Sequence, residues 1–91
     1  MQMLPTEKVS LLRTQIGITT TAFDSVLLGY LNAARQEITR EGITLTDDDL
    51  HLELMYASWL WRNRATGEAM PRMLRYLLNN RVFSEKGRLD G

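Results

Sequence analysis

The sequence predicts an all-α fold, a small bundle of four helices followed by a flexible C-terminal tail. Apolar residues recur at i, i+3, i+4 and i+7, the period of a helix with one buried face. The punctuation falls between those periodic segments, at Gly17, Gly42, Gly67 and Pro71. No segment requires a strand.

The first helix follows Pro5 and runs to about Gln15, with Val9, Leu12 and Ile16 on one face and Gly17 in place to end it. The second opens at Thr21, whose hydroxyl is expected to cap while Asp24 supports the first turn, and it runs to about Glu41. Its inner stripe is Phe23, Leu27, Tyr30, Leu31, Ala34 and Ile38, which leaves Arg35, Glu37, Arg40 and Glu41 toward water. Gly29 costs about 1 kcal/mol relative to alanine inside a helix, which suggests a close helix crossing. Residues 43–45 form an extended connector. Thr46 and the carboxylates of Asp47, Asp48 and Asp49 then mark a firm start for the third helix, a hydroxyl cap plus negative charge at the positive end of the macrodipole.

That helix runs to about Thr66, with Leu50, Leu54, Ala57, Leu60, Trp61 and Arg64 along one side. Leu52, Tyr56 and Trp59 widen its apolar surface, so it is central in the bundle or touches a neighbouring subunit. Pro71 starts the fourth helix, with Leu74, Leu77 and Leu78 inward and Arg72, Arg75 and Arg81 outward. It is expected to end near Val82. The domain spans residues 1–91, with its core at about 6–83 and residues 84–91 as a loose polar tail.

Size and composition narrow the function classes. A chain of 91 residues buries only about 64% of its surface on folding, so help from partner subunits is plausible. The absence of cysteine excludes disulfides, thiolate zinc sites and a thiol nucleophile, and fits a reducing compartment. No apolar run is long enough to span a membrane, and no secretory signal pattern opens the chain, so a soluble, unexported protein is expected. Formal net charge is zero, but residues 1–57 hold four cations and eight carboxylates, a net −4. Residues 58–91 hold seven cations and three carboxylates, a net +4. Opposite faces of such a protomer can attract each other head to tail, although exposed helical faces can also differ in sign without consequence.

Raw material for catalysis is scarce. His51 lies one helical turn after Asp47 and near Asp48 and Glu53, so a carboxylate–imidazole pair or a metal site is conceivable there. The carboxylates already have a sufficient role at the helix start, and no other ligand or nucleophile has a recognisable spacing. Ser58 stands two turns beyond His51, too far for a direct hydrogen bond within the helix, and there is no glycine-rich phosphate loop. No cofactor or metal is expected. The segment from Arg62 to Arg81, two helices about a short turn with interleaved aromatics, also permits a helix-turn-helix DNA-binding regulator. Against that reading, the second helix opens Met70-Pro71-Arg72-Met73 without base-reading side chains, and the domain lacks a basic excess.

The stretch YASWLWRNR, Tyr56 to Arg64, followed by PRMLRYLLNNR, Pro71 to Arg81, resembles the tailed-bacteriophage head-tail connector (adaptor) family, whose members are often labelled DNA packaging proteins. In that family a long helix ends with an aromatic residue, Asn and Arg, places held here by Trp61, Asn63 and Arg64. A proline-initiated leucine helix ending in arginine follows, matched by Pro71, Leu74, Leu77, Leu78 and Arg81. The amino-terminal layout agrees, with a short first helix, a start at Thr21 and Asp24, and a long helix containing Ala34 and Ile38, so the resemblance spans roughly residues 6–83.

The resemblance implies a non-enzymatic adaptor in the virion neck, assembled in the bacterial host cytoplasm. It would form a head-to-tail ring on the portal protein and join the DNA-filled head to the stopper, or head-completion protein, and the tail. DNA would pass through the channel with only non-specific contact. The residues expected at the subunit interface are Tyr56, Trp59, Trp61, Arg62, Asn63, Arg64, Arg72, Arg75 and Arg81. Trp, Tyr and Arg are the side chains that most often anchor interfaces. For Asn63 and Arg64, a helix-end cap and a surface ion pair are the competing roles.

Overall fold

The computed structural model describes the backbone of residues 4–90 and the side chains of residues 4–87. Among the described residues the chain is all-α and without strands: α1 (Pro5–Ile16), α2 (Asp24–Arg40), a 3-10 turn (Asp47–Asp49), α3 (Leu50–Thr66) and α4 (Arg72–Asp90).

Proline at the first position of α1 fixes φ where the amide would lack a partner, and the Leu4 carbonyl accepts the N–H groups of Glu7 and Lys8 at 3.0 and 3.1 Å. The helix stops at Gly17, whose φ of 80° is left-handed. There Ile18 N–H reaches the Arg13 carbonyl at 2.9 Å and Gly17 N–H the Thr14 carbonyl at 3.3 Å, the Schellman pattern.

The second helix begins three residues later than its sequence suggests. Thr21 does not cap it: the Thr21 backbone carbonyl accepts Asp24 N–H at 3.1 Å, and no side chain caps the start. Asp24 is committed elsewhere, its Oδ1 2.9 Å from Arg13 Nε, so a tertiary ion pair between α1 and α2 displaces the local cap. Leu27, Leu31, Ala34 and Ile38 form the buried stripe, while Tyr30 is half-buried and Phe23 is 44% exposed. Gly29 is exposed and a Cβ there would meet open space, so no helix crosses at that point, contrary to the expectation from its helix cost.

The connector after α2 contributes to the core, because Ile43 is fully buried against the helices. At the next start Asp49 Oδ2 accepts Thr46 N–H at 2.9 Å and the Thr46 hydroxyl at 3.2 Å, while Asp49 N–H donates to the Thr46 carbonyl at 3.0 Å. α3 is central and packs on α1, α2 and α4. Its first half is enclosed, with Leu52, Glu53, Leu54, Tyr56, Ala57 and Ser58 all buried; from Trp59 onward every residue is half-buried or exposed. Gly67, at φ 66°, ends it.

Pro71 stands just outside α4 rather than inside it, its carbonyl accepting Arg75 N–H at 3.0 Å. Leu74 and Leu78 are buried and Leu77 half-buried, as the leucine spacing predicts. The expected end near Val82 and the loose tail are corrected: residues 83–90 continue the helix, and Gly91 lies outside the described residues. The reason is Glu85, which is buried and accepts Thr44 N–H at 2.8 Å, pinning the added turns to the connector before α3.

The assembled helices make a slab with extents of 46 × 33 × 17 Å. Its surface, 6162 Å², exceeds the roughly 5,400 Å² expected of a compact chain of this mass, and its radius of gyration, 13.6 Å, exceeds the roughly 12 Å expected.

Candidate subunit interface

The residues that α3 presents beyond its enclosed half form two aromatic groups on different sides. Trp61 meets Phe23 and Tyr30 edge to face, each with ring centroids 5.9 Å apart, which ties the end of α3 to the start of α2. The Arg64 guanidinium lies 3.6 Å from the Trp61 ring centre and also donates to the Trp61 carbonyl. Arg64 therefore combines a cation–π contact with a helix-end cap, and its outer side remains exposed. The second group pairs Trp59 with Tyr56 at 5.6 Å and an interplanar angle of 81°. Trp59 Nε1 and Asn63 Oδ1, one helical turn apart, are both buried without a hydrogen-bond partner among the described residues. Buried polar atoms of this kind are costly when unpaired.

The sequence-derived interface set separates into three parts. Tyr56 is only 6% exposed and belongs to the core of the protomer, a correction to its placement at the interface. Burial, and next the Glu37 and Glu41 carboxylates, push its hydroxyl above the usual phenol range. Arg75 and Arg81 are engaged within the chain. Arg75 Nη1 donates to Glu41 Oε1 at 2.8 Å, and Arg81 grips Asp49 with Nε and Nη2 at 2.8 and 3.0 Å while Nη2 also reaches the Thr44 carbonyl at 3.0 Å. Arg81 thus turns inward, not outward. Its guanidinium holds the Asp49 carboxyl below the ordinary range against the opposing effect of burial, with help from Thr46, and Asp49 in turn raises Arg81. The remaining residues, Trp59, Trp61, Arg62, Asn63, Arg64 and Arg72, retain exposed or half-exposed positions. Arg62 and Arg72 make no ion pair among the described residues.

The charge split between the two halves is therefore partly consumed by folding, since Arg75–Glu41 and Arg81–Asp49 both join one half to the other. What remains flanks α3. Exposed Asp48 stands in the turn just before its start, exposed Arg62 and Arg64 stand in its last turns, and exposed Arg72 opens α4 beyond Gly67.

The pairing that sequence reasoning missed is centred on Glu53. Its buried carboxylate receives Lys8 Nζ at 3.2 Å on both oxygens and Arg35 Nη1 at 3.2 Å, joining α1, α2 and α3. Arg35 is the nearest sequence signal, but its spacing assigned it to water. Ser58 is buried and accepts a hydrogen bond from Gln15 Nε2 at 3.0 Å, while His51 is exposed at the start of α3. Among the described residues, no group of three or more metal-ligating side chains is placed to hold an ion, and no helix is long and apolar enough to cross a membrane. Arg75 and Arg81, two of the cations that suggested a helix-turn-helix reader, are occupied by the contacts above.

Comparison of the chain with protein-family models, curated proteins and solved structures finds no match.

Proposed function

We propose that this chain is a non-enzymatic structural adaptor of a tailed phage or prophage. Copies assemble head to tail as a ring on the portal, and the ring joins the DNA-filled head to the stopper and tail. The observation that carries this reading is the residual charge on α3, whose 17 residues span about 25 Å. The exposed Asp48 carboxylate precedes one end of that axis, and arginines with a half-buried tryptophan occupy the other. A heterologous contact between unlike ends propagates and closes into a ring when the rotation per copy permits. The slab shape supports the same reading, because its excess surface is available to neighbours. Zero net charge suits a channel that lets DNA pass without holding its phosphates.

The test is mass-resolved size exclusion over a concentration series, repeated with purified portal ring. Rings at high concentration, or on the portal, are expected. A compact monomer or a twofold dimer that ignores the portal overturns the proposal and moves a DNA-binding regulator ahead, with DNA selection as the next experiment.

A further inference from the structure

α4 is two-sided. Leu74, Leu78 and Glu85 form its buried edge, yet Met73, Tyr76 and Phe83 are 62%, 62% and 81% exposed, the most exposed large apolar side chains among the described residues. At 100° per residue these three fall within one stripe, on the side of the helix turned away from the core. Met73 to Phe83 covers about 15 Å of helix axis. Three large apolar groups aligned in this way exceed the isolated exposed leucine that any surface tolerates.

The polar neighbours of the stripe define what fits it. From Arg72 to Gly87, the exposed cations of α4 are Arg72, Lys86 and Arg75, the last already paired with Glu41 at the end of α2, and α4 itself exposes no carboxylate there because Glu85 is turned into the core. Phe83 and Lys86 also border a surface depression of about 370 Å³ between α4 and the end of α2, whose far wall is Glu41, the partner of Arg75. Asn80 lies in the stripe between Tyr76 and Phe83. An amide there is unfavourable against acyl chains but matches a polar position in a facing helix, where it sets register. The cations are spread along about 21 Å of helix rather than clustered for phosphates, and the chain has no net positive charge to favour nucleic acid.

From this arrangement we infer that the outer face of α4 docks an acidic amphipathic helix of another protein, its apolar stripe on Met73, Tyr76 and Phe83 and its carboxylates beside Arg72 and Lys86. This surface shares only Arg72 with the charged end described above, while Lys86 and the apolar stripe lie outside it, and peptide binding is read apart from assembly, so the inference does not rest on the adaptor reading. Two copies paired antiparallel through α4 would set basic flank against basic flank, which disfavours a self-partner.

The experiment uses the full chain and fluorescence anisotropy with a labelled synthetic helix of about 20 residues, leucines on one face and glutamates on its flanks. The same peptide with lysine flanks, anionic phospholipid vesicles and a single-stranded oligonucleotide are run in parallel. Saturable binding of the acidic peptide is expected, at least about tenfold tighter than the lysine form. It should weaken about tenfold in Tyr76→Ser/Phe83→Ser and in Arg72→Glu/Lys86→Glu, with helicity unchanged because all four side chains are exposed. Equal binding of both peptides, no effect of either double variant, or binding confined to vesicles or the oligonucleotide overturns the inference; the last two results assign the stripe to lipid or nucleic acid.

Discussion

Glu53 is a carboxylate held in the middle of the most enclosed part of α3 by Lys8 from α1 and Arg35 from α2. Replacing a buried ion pair by apolar side chains can be neutral, but removing one member leaves the others desolvated and unpaired. Glu53→Ala is therefore expected to cost about 2–3 kcal/mol, discounted because Arg35 is partly in water, with a fall in Tm of roughly 10–20 °C. Lys8→Met, which leaves Arg35 in place, should cost less than half as much; urea unfolding of both variants at pH 7 decides the order. Asp49 supplies a pH prediction of defined sign. Its folded pKa lies below the unfolded value, so its contribution is complete above about pH 4 and disappears as the pH falls through the folded pKa. Asp49→Asn should lower stability at pH 7 by about 1–2 kcal/mol and flatten the acid limb of the stability profile. An unchanged acid limb in that variant would show that the Arg81 contact contributes nothing to acid unfolding.

Among the elements, α2 and α4 illustrate what spacing reports and what it omits. Gly29 sits in α2, exposed, with open space where a Cβ would point. Its cost is then only the conformational freedom of glycine, and Gly29→Ala should raise stability by about 0.5–1 kcal/mol in thermal unfolding without altering assembly. α4 meets the core through buried Leu74 and Leu78 with Leu77 and Val82 beside them, and its last turns are also held by polar contacts from Arg81 and Glu85 to the connector and the 3-10 turn. Glu85→Ala is expected to raise amide exchange selectively in residues 82–90 while protection in α2 and α3 persists, since local opening follows local contacts. Uniform loss of protection would instead make α4 an integral part of one cooperative unit.

For the whole molecule, the informative quantity is the charge left after folding has paired what it can. If copies join through unlike ends of α3, Arg62→Glu/Arg72→Glu should remain monomeric at concentrations where the parent chain assembles, with identical helicity. Assembly of the parent should also weaken between 50 and 500 mM salt, conditions that shorten the screening length to a few ångströms. Light scattering on both proteins measures this, and assembly insensitive to salt and to the double reversal would place the contact on apolar surface.

Helix number, the glycine stops at Gly17 and Gly67, and the leucine stripes were legible in the sequence, because each follows from interactions among residues within a few positions of one another. The expected interface aromatics and arginines were legible as candidates by type. Their fates were not. Tyr56 in the core, Arg81 on Asp49, Arg35 on Glu53 and Asp24 on Arg13 are all contacts between separate elements. The cap expected at Thr21 and the loose tail expected after Val82 failed for the same cause, since Asp24 and Glu85 are claimed by distant partners. Local periodicity determines which face of a helix is apolar; only the packed structure decides which charges fold inward and which remain exposed, because that choice depends on distances no spacing along the chain contains.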